Sequence, residues 1–165
     1  CRRAEPTLAS LEEQYGDRLR IVWHDLPLPF HKNARPAAHA AREAFAQGGN
    51  RAFWKMHAAL FALEGEGVSL ERESLDEHAR RAGLDLARFR KAVDGQQHEA
   101  AIAADEAAAA AAGLSGTPSF VINGYIVRGA QPPQVFERVI ERALADEKNA
   151  KEPGTDAKGP AASRD

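Results

Sequence analysis

Cysteine is nearly absent from the sequence, since Cys1 is the only one among 165 residues. A single thiol cannot form a disulfide within the chain, which excludes a disulfide framework. The sequence also lacks an apolar run approaching the roughly 20 residues that a membrane-spanning helix needs. Neither sign of charge is in excess, because 22 basic residues face 24 acidic ones. This balance gives no electrostatic reason to expect a nucleic-acid partner.

Metal-binding and nucleotide-binding motifs are missing as well. The six histidines do not pair at the spacing of a metal site, and one cysteine cannot supply the remaining ligands. The glycine-containing stretches GG, GEG and GLSG lack the Lys-Ser/Thr of a phosphate loop and the spacing of a dinucleotide motif. We therefore expect no metal ion, no nucleotide and no other cofactor.

The N-terminal part predicts a helix followed by a strand. Four residues recur at helical spacing ahead of a glycine that ends the pattern: Ala4, Leu8, Leu11 and Tyr15. The following segment, LRIVWHD, alternates apolar with more polar residues and contains β-branched and aromatic side chains, which is typical of a strand. The two prolines of LPLPF end regular structure there.

Residues 33–112 predict a block of helices. Asn33 suits an N-cap, with Pro36 confined to the first turn. The stretches GG and GEG, and then Gly83 and Gly95, separate successive helices. The Ala-rich HEAAIAADEAAAAAA ends the block. Alanine is the best helix former and its small side chain allows close packing, so this helix is expected to press against a neighbour.

The C-terminal part predicts a hairpin and one more helix. SFVINGYIV contains two β-rich runs joined by Asn123-Gly124, the pair that favours a type I′ turn because both positions need positive φ. An amphipathic helix follows, with Pro132 or Pro133 at its N-terminus. Residues 147–165 are charged, contain proline and glycine and show no apolar face, so we predict a disordered tail or linker.

The predicted order is helix, strand, helical block, hairpin, helix. A parallel pair of strands is joined by a crossover, so the first helix and strand are naturally completed by a strand ahead of Cys1. The sequence therefore predicts an α/β, thioredoxin-like fold (βαβ–ββα) with an inserted helical domain and with the first strand missing from this chain. Residues 1–32 and 113–146 are assigned to the thioredoxin-like subdomain and residues 33–112 to the inserted helical subdomain.

Four stretches of the sequence resemble the DsbA-like branch of thioredoxin-fold thiol–disulfide oxidoreductases: CRRAEPTL, YGDRLRIVWHDLPLPFHKNARPAAHAAREA, FWKMHAALF and GLSGTPSFVINGYIVRGAQP. The resemblance extends from Cys1 to about Leu144. It implies that Cys1 is the second cysteine of a Cys-x-x-Cys motif whose first, attacking cysteine is absent from this chain. It also implies a cis proline at Pro118, lying against the dithiol, with Thr117 beside it.

The resemblance implies roles for these residues. Cys1 would be the buried, resolving cysteine, which attacks the mixed disulfide that its partner forms with a protein or peptide substrate. Thr117 and Pro118 would bind the extended substrate through their backbone, as in strand addition. A chain without the attacking cysteine would be inactive in dithiol exchange. The resemblance further implies a periplasmic or extracytoplasmic location and a possible membrane redox partner.

Two other functions remain open from the sequence. The chain could be a non-catalytic, thioredoxin-like peptide-binding or regulatory module of a larger protein, as its linker-like tail would suit. It could also come from the isomerase or glutathione-transferase branch of the fold, which usually carries serine at the attacking position. The residue three positions before Cys1 would separate these possibilities.

Several other side chains have structural interpretations. Asp25, at the end of the predicted strand, either moves protons near the dithiol or is a turn carboxylate. His57 is predicted to pack in the core, and His24 and His31 to lie on the surface. Seven aromatic residues are predicted to be core, with an exposed subset near LPLPF forming a substrate groove: Trp23, Phe30, Phe53, Trp54, Phe61, Phe120 and Phe136.

Overall fold

The computed structural model describes residues 1–61 and 70–151. Within these residues, six α-helices and one β-hairpin follow in the order α1, α2, α3, α4, α5, β1, β2, α6. Short 3-10 helices, Arg2–Ala4 and Gly16–Arg18, flank the first helix. The bounds are α1 Glu5–Tyr15, α2 Ala34–Phe61, α3 Arg72–Ala82, α4 Leu86–Asp94, α5 Glu99–Ala111, β1 Ser119–Ile122, β2 Tyr125–Arg128 and α6 Pro133–Lys151.

The predicted helix ends agree closely with the structure. Helix α1 ends at Tyr15, α3 ends directly before Gly83 and α4 directly before Gly95. The boundary predicted at the GG pair is present as a kink inside α2, where Gly48 and Gly49 leave helical φ/ψ values. The boundary predicted at GEG (65–67) lies outside the described residues. The block of helices is therefore confirmed wherever the structure describes it.

The segment LRIVWHD forms no hydrogen-bonded strand, so the prediction of a strand there is wrong. The sheet of the described residues has two strands only, and neither of them is this segment. Burial nevertheless alternates along it, with Arg20, Val22 and His24 exposed and the residues between them more buried. The alternation correctly located an extended segment with one covered side. A strand also needs a partner, and no other segment of the described residues pairs with this one.

The structure confirms the predicted hairpin and the predicted last helix. Strands β1 and β2 pair antiparallel, with Ser119 opposite Arg128 and Ile122 opposite Tyr125. The connecting Asn123 and Gly124 have φ of 45° and 93°, as a type I′ turn requires. Helix α6 begins at Pro133 and continues to Lys151, so the prediction of a disordered tail is wrong for its first five residues, 147–151. Residues 152–165 lie outside the described residues.

The described residues divide into two compact units. One unit contains Cys1–Arg2 and Arg20–Thr117, and the other contains Arg3–Leu19 and the chain from Pro118 onward. The extended segment therefore groups with the helical block, whereas the sequence assigned it to the thioredoxin-like subdomain. The core of the helical unit combines small residues of α2 with larger apolar side chains, among them Met56, Leu75 and Phe89, all fully buried.

The hairpin unit has its own core. Leu11 and Tyr15 of α1 pack with Val127 of β2 and with Phe136 and Ile140 of α6. Polar contacts add to this packing, since Tyr125 donates to Asp146 Oδ2 at 2.5 Å and accepts from Arg142 Nε at 2.9 Å. The hydroxyl of Tyr125, next to the turn, thereby links the hairpin to α6.

Two arginines of α2 tie the Ala-rich helix α5 into the helical unit. Arg35 makes bidentate contacts to Glu99 and Glu106, with N–O distances from 2.5 to 3.0 Å. About two turns further on, Arg42 contacts Asp105 Oδ2 at 2.5 Å and Asp25 Oδ2 at 2.6 Å. Since α5 has few large apolar side chains, these charge-assisted hydrogen bonds supply specific contacts that alanine cannot.

We predict that Arg42→Met lowers the free energy of unfolding by about 2–3 kcal/mol, because Asp25 is only 4% exposed and would keep a buried charge without its cation. Urea denaturation followed by circular dichroism measures the change. The matched control is Arg81→Met, which removes an arginine that is 74% exposed and should cost at most about 0.5 kcal/mol. Equal losses in the two variants would contradict the structural role of Arg42.

Candidate functional site

Cys1 precedes the turn and helix that open the chain. Its side chain is exposed, so the predicted burial of this cysteine is wrong in this structure. Arg2–Ala4 form a 3-10 turn and α1 follows at Glu5, with Pro6 in its first turn. The cysteine therefore stands just ahead of the N-terminal end of a helix.

The first turn of α1 contains a perturbed carboxyl group. Burial raises the pKa of Glu5 above its usual value, and the negative charge of Glu12 adds to the effect. Glu5 was not among the predicted site residues. Its raised pKa means that this carboxyl takes up a proton more readily than an ordinary glutamate.

Thr117 and Pro118 lie directly before the hairpin. Thr117 is exposed and Pro118 is partly buried. The carbonyl of Pro118 accepts a hydrogen bond of 2.9 Å from the N–H of Gly129, which extends the ladder of β1 and β2 by one step. The position of Pro118 is thus determined by the hairpin register. The cis geometry of Pro118 and its approach to Cys1 stay predictions.

Asp25 is a structural carboxylate in this fold. It accepts a hydrogen bond of 2.9 Å from Trp23 Nε1 and the ion pair from Arg42, while its backbone N–H donates to Asp105 Oδ2 at 2.8 Å. Every one of these contacts lies inside the helical unit. The structure therefore favours the structural interpretation of Asp25 over that of a proton carrier.

The three histidines singled out in the sequence occupy their predicted environments. His24 and His31 are exposed, with His24 Nδ1 lying 2.9 Å from Asp105 Oδ1. His57 is buried among aromatic rings, with centroid distances of 4.7 Å to Trp23 and 4.6 Å to Phe61. Burial lowers the pKa of His57 to about 4, so this imidazole is neutral near pH 7.

The aromatic residues divide into core and surface. Phe53 and Phe136 are buried as predicted, and Phe120 packs edge-on against Phe136 at 4.9 Å. The core prediction is wrong for Trp54, which is 38% exposed. Phe30 is 74% exposed, as the prediction of an exposed aromatic subset near LPLPF allowed. Phe30 follows the two prolines of LPLPF, which restrict the chain locally, and its ring lies 4.6 Å from His31.

The described residues contain no group of three or more His, Cys, Asp or Glu side chains that could hold a metal ion. Among the same residues, no helix combines the length and hydropathy that crossing a membrane requires. Two features of the described residues agree with a thioredoxin-like protein: a thiol ahead of a helix, and a Thr-Pro pair ahead of an antiparallel hairpin that packs on α6.

Comparisons with known proteins assign the family. The DSBA-like thioredoxin domain family matches residues 1–141, and the chain belongs to that family. ScsC of Proteus mirabilis, in a compact conformation, superposes with a TM-score of 0.72 at 22% identity, over 89% of this chain and 77% of ScsC. DsbA2 of Pseudomonas aeruginosa gives 0.70 at 25% identity, over 88% of this chain and 82% of DsbA2. The thioredoxin-like fold predicted from the sequence is thereby confirmed.

A curated relative carries a transporter name. The chain is 36% identical over 146 residues to the Na(+)/H(+) antiporter NhaA 1 of Salinispora arenicola. The match covers 88% of this chain and 21% of that protein, so the chain spans about a fifth of the relative's length. Most of the antiporter therefore lies outside the region of similarity.

We predict that His57 makes the stability of the fold pH-dependent. Its pKa in the folded chain, about 4, is lower than the value of about 6.5 expected when unfolded, so the unfolded chain binds more protons between these values. Its contribution to stability is present above about pH 6.5 and is lost as pH falls toward 4, by at most ~1.4 kcal/mol per pH unit.

Urea denaturation at pH 4.5, 5.5 and 7 tests this dependence. His57→Leu should reduce the loss of unfolding free energy on acidification, because leucine binds no proton. His31→Leu replaces an exposed histidine and is the matched control. The prediction fails if the pH dependence of His57→Leu equals that of the wild type.

Proposed function

We propose that this chain is the main part of a DsbA-like domain that exchanges disulfides with protein thiols, with Cys1 as the resolving cysteine. The attacking cysteine is proposed to stand three positions earlier in a longer form of the protein. The single observation that carries the proposal is the family match, which runs from Cys1 through the helical block, the Thr117–Pro118 loop and the hairpin to residue 141.

The position of Cys1 ahead of α1 supports this chemistry. Unpaired N–H groups and the helix dipole favour negative charge at a helix N-terminus, which stabilises a thiolate. In the reducing direction, the attacking thiolate opens the substrate disulfide and forms a mixed disulfide, releasing one substrate thiolate. The Cys1 thiolate then attacks this mixed disulfide at the sulfur of the upstream cysteine. A disulfide forms between the two cysteines of the protein, and the second substrate thiolate leaves. In the oxidising direction the same steps run in reverse.

The loop before the hairpin supports a substrate-binding role. The Pro118 carbonyl is already engaged with Gly129, so the exposed Thr117 is the residue that we propose to pair with the backbone of an extended peptide. The exposed Phe30 would add apolar contact area for such a peptide. Because disulfides persist in oxidising compartments, we further propose a periplasmic or extracytoplasmic location, with a membrane redox partner that restores the active oxidation state.

We predict that Cys1→Ser in a longer form of the protein traps mixed disulfides with protein substrates, because no thiolate remains to resolve them. Non-reducing electrophoresis after acid quenching, followed by mass spectrometry of the adducts, measures this outcome. Replacing the upstream cysteine by serine is the control and should abolish the adducts. A longer form without a cysteine three positions before Cys1 would refute the dithiol mechanism.

A second candidate function is supported by the transporter name of the curated relative. The chain matches about a fifth of that protein, which is the size relation expected for a domain attached to a larger one. In this alternative, the domain is a non-catalytic peptide-binding or regulatory module.

We predict for this alternative that the longer form binds unfolded peptides without reducing insulin. Fluorescence anisotropy with a labelled peptide measures binding, and insulin precipitation in the presence of dithiothreitol measures turnover. Retained binding with no turnover favours the module. Turnover that depends on Cys1 favours the oxidoreductase.

A further inference from the structure

Two histidines lie at the junction of α2 and α5, and each contacts a carboxylate of the other helix. His39 of α2 places its Nε2 3.3 Å from Oε2 of Glu99, the first residue of α5. His98, the N-cap residue of α5, places its Nε2 2.8 Å from Oε2 of Glu43 in α2. The two imidazole rings are 6.4 Å apart, measured between their centroids. None of these four residues belongs to the proposed thiol site or to its peptide-binding loop.

The imidazole of His39 is buried and only half satisfied. Its side chain is 1% exposed, and Nδ1 has no hydrogen-bond partner among the described residues. A neutral ring with its proton on Nε2 can donate to Glu99, and Nδ1 is then an acceptor without a donor. Protonation would turn Nδ1 into a buried N–H donor without an acceptor and would add a charge to a desolvated ring. The folded junction therefore favours the neutral form of His39.

The charges that face His39 act in both directions. Burial is the largest cause that lowers the pKa of His39, and the charges of His98 and Arg35 act in the same direction. Glu99 acts in the opposite direction, because its carboxylate favours a protonated imidazole. That carboxylate is shared, however, since Arg35 contacts both of its oxygens at 3.0 and 2.5 Å. The net pKa is lowered, so His39 is neutral near pH 7.

The other carboxylates around α2 have cations of their own. Glu43, one turn further along α2 than His39, contacts Arg88 of α4 at 3.0 Å in addition to His98. Three carboxylates of the neighbouring helices are also paired with arginines: Asp76 and Glu77 of α3, and Glu106 of α5. Among all these groups, Glu99 is the one in contact with the His39 ring.

Helix α5 is attached to the helical unit with little apolar packing. Ile102 is the one buried residue of α5, and most of its other residues are alanines. Polar contacts to α2 therefore contribute a large share of what holds this helix. A segment with few buried apolar contacts opens locally at a lower free-energy cost than the core of its unit. Weakening the histidine contacts at its first turn should release α5 before α2, α3 and α4 separate.

We propose that the α2–α5 junction is a pH-sensitive contact, which opens when acidification protonates His39. In the open junction the imidazole is hydrated and binds a proton with its ordinary pKa of about 6.5, so falling pH favours the open state. The contact is complete above about pH 6.5 and weakens as the pH falls below that value. Helix α5 ends at Ala111, ahead of Thr117, so its release loosens the chain that leads into the proposed peptide-binding loop. That effect on the loop rests on the proposed function, whereas the opening of the junction does not.

Hydrogen–deuterium exchange of the 165-residue chain at pH 5.5 and pH 7.5 tests the proposal. After correction for the intrinsic pH dependence of exchange, the opening equilibrium of the α5 amides should rise on acidification by up to roughly tenfold, because one proton is taken up on opening. The amides of α3 around Leu75, which is fully buried, report global unfolding and should change less.

Variants of His39 identify the group that takes up the proton. His39→Gln and His39→Leu should both abolish the pH response of α5, because neither side chain binds a proton in this range. The use of two variants keeps the test valid if one of them does not fold, which circular dichroism shows. His57→Leu is the matched control, since it removes another buried histidine of the same unit and should leave the response of α5 unchanged.

Three results would overturn the proposal. The first is an opening equilibrium of α5 that does not change between pH 7.5 and pH 5.5. The second is an equal change in α3 and α5, which would assign the response to global unfolding. The third is a response of α5 that persists in a folded His39 variant. Failure of the longer form to bind peptide at pH 7.5 would refute the peptide-binding role of the Thr117 loop and would not affect the junction.

Discussion

The helical unit depends on two arginine forks that project from one face of α2. Arg35 contacts Glu99 and Glu106, and Arg42, seven positions further along α2, contacts Asp105. Helix α5 is so rich in alanine that its packing surface has few protruding side chains. Close packing alone would therefore specify its position along α2 only weakly. Charge pairing at two levels along the helix specifies that position. Through Asp25, the same network also secures the extended segment, so one set of ion pairs positions two elements.

The sequence predicted those features of the fold that short local patterns determine, such as turns and helix ends. The hairpin turn follows from the φ requirement of Asn123-Gly124, and the ends of α3 and α4 follow from glycines that stop a helix. The alternation of residues 19–25 likewise predicted which side chains are covered. The alternation could not predict whether this segment pairs with a strand, because hydrogen bonding in a sheet depends on a partner elsewhere in the chain. The Arg35 and Arg42 contacts were missed for the same reason, since matching stripes of charge do not reveal which helices lie together.

The candidate site was predictable to a smaller degree. Motif resemblance proposes Cys1, Thr117 and Pro118 as site residues, and the hairpin register explains the position of Pro118. The exposure of Cys1 was not predicted, since the resemblance implies a buried cysteine and free cysteine is usually buried. The exposure of Phe30 agrees with the exposed aromatic subset that was predicted near LPLPF.

The buried carboxylates of the helical unit are satisfied inside the fold. Asp25 and Glu43 are buried and have specific cationic partners, so their energetic role is complete there. Arg51 and Lys55, by contrast, are exposed on the segment of α2 that follows the kink at Gly48 and Gly49. A buried carboxylate needs a partner because it has lost its hydration, whereas an exposed cation keeps its hydration and needs none. The ion pairs of these two carboxylates therefore lie where burial requires them.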